Sequence, residues 1–209
     1  MTRILPGVLA MATIVVASNI LVQFLILDGF LTWGAFTYPL AFLVTDVMNR
    51  IYGTSAARKV VFSGLVVGII CSLIGSQIML EFGPAVPIRI AIASATAFAV
   101  AQLLDIAVFN RFRGGVWWKA PLISTLTCSV VDTAIFFSIA FAAFFNPFSA
   151  MAAEQIIWAQ DTVPFLGAGA LVPLWVSLAI ADWGVKVAVA LIALVPFRLI
   201  VGQRAQPIT

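Results

Sequence analysis

The sequence predicts an all-α membrane protein, a bundle of six transmembrane helices with the N-terminus and the C-terminus both in the cytoplasm. Three observations predict it. Of 209 residues, 63% are apolar and 9% are charged, whereas a soluble domain carries charge on about a quarter of its positions. Apolar runs of bilayer-crossing length recur along the chain, separated by charge, Gly or Pro. Lys and Arg fall on alternate connections between those runs.

The first helix is expected over 8–27. The opening Met-Thr-Arg-Ile-Leu-Pro-Gly runs into an apolar stretch longer than the core of a signal peptide and without a convincing cleavage site, so the stretch is expected to stay as a helix. The next helices are expected over 31–52, 60–80, 89–109, 121–145 and 167–197, the last long enough to tilt or break. Together they make a single transmembrane domain, 1–209, with no large part outside the bilayer. The longest external loop, 146–166, contains Asn146, Pro147, Glu154, Asp161 and Pro164, and its Ile156, Ile157 and Trp158 suggest an interfacial helix or lid.

Orientation follows from charge. Arg3, Arg50, Arg58, Lys59, Arg111, Arg113, Lys119, Arg198 and Arg204 fall on one side, and only Arg89 falls on the other. Such a bias places the basic side in the cytoplasm. It also accounts for the pI near 9.2, so no nucleic-acid partner is expected. The chain has no His, and Cys71 and Cys128 both sit in apolar stretches. No metal site, disulfide or cofactor is therefore expected.

The candidate site residues are the ionisable groups within the spans. A charge at mid-bilayer costs roughly 2.5–3.5 kcal/mol, so each must face protein or a watery cavity. Counting along the expected helices, Asp132 and Asp182 with Lys186 lie near the middle, and Asp46 and Asp105 lie in the cytoplasmic third. Asp182 and Lys186 are spaced i, i+4, which allows either a self-contained ion pair or a lysine that also reaches an acid on another helix, such as Asp132. Asp46 and Arg50 share that spacing, with Asn49 and Gly53 on the same side; Arg50 can equally snorkel to the headgroups. Gln102 stands three residues before Asp105. Ser124, Thr125, Cys128 and Asp132 make a polar stripe, which serves either interhelical hydrogen bonding or a cavity. The two helices carrying Asp46 and Asp105 both end in Asn-Arg and run the same way, a hint of an internal repeat.

Such a cavity, walled by Phe and Trp, suits a planar polar heterocycle. A carboxylate accepts two adjacent N–H donors, an amide satisfies a carbonyl and a ring nitrogen, and aromatic faces stack on the ring. The same carboxylates could carry protons or bind sodium. The sequence has no Gly-x-Ser-x-Gly elbow, no His-Glu-x-x-His and no phosphate-binding Gly-x-x-x-x-Gly-Lys loop, so no enzymatic activity is expected. Uptake would draw on a gradient, on downstream trapping or on a partner ATPase, for which there is no indication.

Several blocks carry a family resemblance. Thr32-Trp33-Gly34-Ala35-Phe36-Thr37-Tyr38-Pro39, leading to Phe42-Leu43-Val44-Thr45-Asp46 and Arg50-Ile51-Tyr52-Gly53, resembles the signature of the queuosine precursor transporters, the YhhQ or VUT family. Gln102-Leu103-Leu104-Asp105, Asn110-Arg111-Phe112-Arg113, Trp117-Trp118 and Asp132-Thr133 look like the second half of that pattern, and Ser18-Asn19 and Asp182 with Lys186 also match. The similarity runs from about residue 17 to 197. It implies import of 7-cyano-7-deazaguanine and 7-aminomethyl-7-deazaguanine across the bacterial inner membrane for tRNA queuosine modification. The expected substrate-binding or translocation residues are then Asp132, Asp105, Gln102, Asp46, Asn49, Asn19, Asp182 and Lys186. Arg50, Arg111, Arg113, Trp117 and Trp118 are expected to serve structure or topology. The competing reading, from size and helix count, is a substrate-binding membrane subunit of an energy-coupling-factor importer for a purine-like or vitamin-like base. The expected partners are the base and the bilayer; homo-oligomerisation is left open.

Overall fold

The computed structural model describes residues 2–27, 30–81, 83–148 and 154–202. Six principal helices run back and forth: α1 (Leu5–Leu21), a span in two pieces, α2 (Gly34–Thr37) and α3 (Leu40–Tyr52), then α4 (Thr54–Gln77), α5 (Ile88–Phe112), α6 (Lys119–Phe141) and α7 (Leu174–Gly202). Four of them, α4 to α7, are long and apolar enough to cross a membrane on their own. At 17 residues α1 reaches about 26 Å, close to the thickness of the hydrocarbon layer.

The bundle is built inside out relative to a soluble one. Large apolar side chains such as Leu9, Phe62, Leu73, Leu103, Ile192 and Val195 are exposed on its outer surface, whereas Asp46, Gln102, Asp105, Asp132 and Lys186 are buried. Helices apolar on their outer faces and polar within are stable where lipid is the solvent. The main apolar core lies where α1, α3, α4 and α5 meet, around Met11, Val15, Ala57, Val60, Val61 and Phe98.

The span expected over 31–52 is interrupted, and the cause is Pro39. Its ring nitrogen cannot donate, so the ladder breaks there. Tyr38 still donates to the Gly34 carbonyl at 3.0 Å, but Ala41 and Phe42 turn to the carbonyls three residues back, of Tyr38 and Pro39, at 3.0 and 3.1 Å. Gly34 allows α2 to pack directly on the end of α1: a Cβ there would stand 2.9 Å from the Val22 nitrogen.

The third helix begins earlier than expected. Gly53 alone separates α3 from α4, so Arg58 and Lys59 lie in the first turns of α4 and not in a loop. Gly53 has φ +83 and ψ 175, a conformation open essentially to glycine only. Gly53→Ala is expected to lower stability by about 1–3 kcal/mol, measurable as a fall in the thermal unfolding midpoint in detergent.

Short two-stranded ribbons, which the hydropathy pattern does not announce, form on the connections at the opposite end. They pair β1 (Leu25–Ile26) with β2 (Leu31–Thr32), β3 (Met79–Leu80) with β4 (Gly83–Pro84), and β5 (Thr162–Pro164) with β6 (Leu171–Pro173). In the expected lid, the described part contains 3-10 turns, Ala143–Phe148 and Ile157–Gln160; positions 149–153 lie outside the described residues. Ile156 is fully buried against α6 and α7 neighbours. Arg89 ties this end together. Its guanidinium donates to the carbonyls of Ile139 and Ala142 at 2.7 and 2.6 Å and to Asn146 Oδ1 at 2.7 Å, satisfying the open C-terminus of α6.

At the basic end, Arg50 donates to the Arg113 carbonyl at 2.7 Å and Arg113 to the Arg50 carbonyl at 2.8 Å. Each arginine thus caps the helix of the other, and the ion pair between Asp46 and Arg50 allowed by their spacing does not form: among the described residues, both ion pairs belong to Lys186. Arg198 lies over the ring of Trp117 at 4.9 Å, while Arg111 and Trp118 are exposed.

Candidate functional site

A cavity of about 430 Å³ opens between α1, α2, α4, α5, α6 and α7, a size ordinary for a small-molecule site. Toward the ribbon end it is lined by Gln23, Phe30, Thr32 and Trp158, and its walls include Phe98, Phe136, Phe137 and Phe141. Its polar end is made by Tyr38, Asp132, Asp182 and Lys186, with Asn19 on the α1 side.

Lys186 holds this polar end together. Its ammonium lies 2.7 Å from Asp132 Oδ2 and 2.6 Å from Asp182 Oδ2, and it donates to Thr133 Oγ1 at 2.8 Å. The ammonium's three donors therefore all have acceptors. The Thr133 hydroxyl donates in turn to Asp182 Oδ2 at 3.1 Å, and the Tyr38 hydroxyl donates to Asp132 Oδ1 at 3.1 Å. The pair on one helix is thus not self-contained: Lys186 bridges α7 to α6. Asp182 is the most accessible of the three charged groups, with 17% of its side chain exposed against 4% for Lys186 and 2% for Asp132. It is the carboxylate a ligand in the cavity would meet.

The proline break gives Tyr38 its place. A helix interrupted near mid-membrane and lining a cavity is a recurrent way to bring polar groups to a substrate. Tyr38→Phe removes a hydrogen bond to a charged acceptor, worth about 1.5–3 kcal/mol. We expect roughly a tenfold or greater loss of substrate affinity in equilibrium binding if Tyr38 fixes the orientation of Asp132.

Asp46, Asn49, Gln102 and Asp105 do not line this cavity. They lie deeper toward the basic end, between α3 and α5, facing Ser124 and Thr125 of α6. The expected carboxylates are thus divided into two groups, one at the cavity and one behind it. Asn19 is at the cavity, but its amide nitrogen is turned to the Val15 carbonyl at 2.9 Å. Tyr38 and Thr133 belong with the site residues, although their types alone give no reason to select them. The proline after Tyr38 is the available signal for the first; adjacency to Asp132 is the only one for the second.

An inside-out bundle with an interrupted helix and a charged cavity between its helices is the architecture of a multi-pass membrane protein, and the similarities that follow make its class a transporter. The chain belongs to the family described as "Putative vitamin uptake transporter", whose model matches residues 32–201. It is similar to a protein of Escherichia coli (strain K12) named "Queuosine precursor transporter", 34% identical over 196 residues, covering 88% of this chain and 79% of that one. It is also 43% identical over 131 residues to a "Probable queuosine precursor transporter" of Haemophilus influenzae, covering 57% of this chain and 55% of the relative. A protein of the same printed name from Bacillus subtilis (strain 168) is 30% identical over 130 residues, 53% of this chain and 56% of that one. No solved structure gives a significant match.

Proposed function

We propose that this protein imports queuosine precursors, 7-cyano-7-deazaguanine and 7-aminomethyl-7-deazaguanine, across the bacterial inner membrane, with its termini in the cytoplasm and its ribbon end outside. The observation that carries the reading is the accessible Asp182 carboxylate in a cavity walled by aromatic rings. A deazaguanine presents a ring N–H beside an amino group, two parallel donors that a carboxylate accepts together. Asp182 is the acceptor in this reading, Lys186 and Tyr38 hold Asp132 at the floor, and Phe136 and Phe137 provide faces for stacking. The similarity to proteins named for this cargo supports the choice of base, and the basic residues at the opposite end support the orientation.

The test is a bacterial strain unable to make queuosine precursors. Expression of this chain is expected to restore queuosine in tRNA at low external base, and failure at good membrane expression contradicts the proposal. Uptake by the purified chain alone in liposomes is the expected result. A requirement for an added ATPase would instead favour a binding subunit of an energy-coupling-factor importer.

A further inference from the structure

Along α6 three layers succeed one another, each about 6 Å below the last. The uppermost holds Asp132 at the cavity floor. The next holds Cys128, packed with Phe42 of α3 and Ala101 of α5 in an apolar cluster with Leu104 and Val108 beside it. None of these five residues lines the cavity. Beneath that plug are Ser124 and Thr125 of α6 with Asp46 and Asp105.

This lowest layer is sealed yet incompletely bonded. Asp46 is 2% exposed, and Asp105, Gln102 and Asn49 are 0% exposed. Asp46 accepts the hydroxyls of Ser124 and Thr125, each at 3.4 Å. Neither carboxylate oxygen of Asp105 has a hydrogen-bond partner, nor do the Gln102 amide nitrogen and the Asn49 amide oxygen. Thr45 donates to Gln102 Oε1 on one side of the two acids, and Asn49 donates to the Ile106 carbonyl at 3.5 Å on the other, so Asp46 and Asp105 share one seam between α3 and α5. Among the described residues no ion pair reaches them: both ion pairs belong to Lys186, and Arg50 and Arg113 donate to each other's carbonyls. The residues that precede and follow the acids on their own helices belong to apolar clusters, Leu104 and Ile106 beside Asp105 and Val47 beside Asp46.

Two ionised carboxylates cannot face each other in a dry interior without a compensating charge. One proton resolves the conflict and the bonding together, because a protonated acid becomes an O–H donor to its partner. We propose that Asp46 and Asp105 form a binding site for a single proton, separate from the cavity, whose loading and release drive the carrier. This inference rests on the transporter reading only for what the proton drives; the site itself does not depend on the cargo. The proton arrives from water on the outer side and is lost to water on the inner side. No other bond is made or broken. Movement of the plug of Phe42, Ala101 and Cys128 is what would connect the two layers.

The experiment has two arms on the purified full-length protein. Infrared spectroscopy without any base should show a protonated-carboxyl band that vanishes on raising pH and is absent in Asp105→Asn. Asp46→Asn serves if that variant does not fold, since either change removes the pair. In liposomes, the wild type should accumulate base many-fold under an inward proton gradient, while Asp105→Asn exchanges labelled for unlabelled base measurably but accumulates none above equilibrium. A band unaffected by both substitutions, stabilisation that depends on sodium instead of pH, or undiminished proton-driven accumulation in Asp105→Asn each overturns the proposal. A wild type that shows the titrating band but transports no deazaguanine would leave the proton site standing and refute the cargo.

Discussion

Replacing Lys186 with methionine is expected to abolish uptake and to destabilise the protein by about 3–5 kcal/mol, the cost of leaving buried charge without its partner. Two acids depend on this one ammonium, at 2.7 and 2.6 Å, so a single change strands both. The compensation pattern makes the prediction specific. Adding Asp182→Asn to Lys186→Met should recover only part of the stability, because Asp132 remains buried and charged. The triple variant with Asp132→Asn should recover most of it, since three neutral side chains of similar shape can be buried at little cost. Thermal unfolding in detergent measures the stability, and none of the three variants should transport. Full recovery in the double variant would mean that Lys186 serves Asp182 alone.

Asp132→Asn on its own is the second large effect. The amide keeps the shape and can still meet the Tyr38 hydroxyl, and Lys186 retains Asp182. Folding should therefore survive, with a loss of about 1–3 kcal/mol. Uptake should fall by about a hundredfold or more, because the cluster of one ammonium and two carboxylates loses one negative charge and the neutral cluster that remains holds a base with N–H donors less well. Whole-cell uptake normalised to membrane expression reads this out; transport within a few-fold of wild type would reduce Asp132 to a packing role.

The helical architecture was legible from hydropathy because each span is a long apolar run, and the principal helices fall on the expected runs with shifted ends. The break at Pro39 was not marked, since one proline inside a 22-residue apolar stretch does not lower the average. The ribbons were hidden because strands of two or three residues carry no periodicity. At the site, the acids declared themselves individually by their cost in lipid. Their grouping did not. Spacing along one helix shows which residues share a face, as for Asp182 and Lys186, but the choice of Asp132 as a further partner of Lys186 is set by how α6 and α7 pack. Counting along the helices put Asp46 and Asp105 nearer the cytoplasmic end than Asp132, but nothing in the sequence showed that layer to be sealed from the cavity: the residues between, Phe42, Ala101 and Cys128, look like any other apolar positions.

The central claim is that a base is held by Asp182 in the cavity above Lys186. Equilibrium binding of 7-cyano-7-deazaguanine to the purified protein, wild type against Asp182→Asn, tests it most directly. Saturable binding to the wild type is expected, weakened at least tenfold in the variant, corresponding to about 1.4 kcal/mol. Equal affinity in both proteins, with the variant folded, would contradict it.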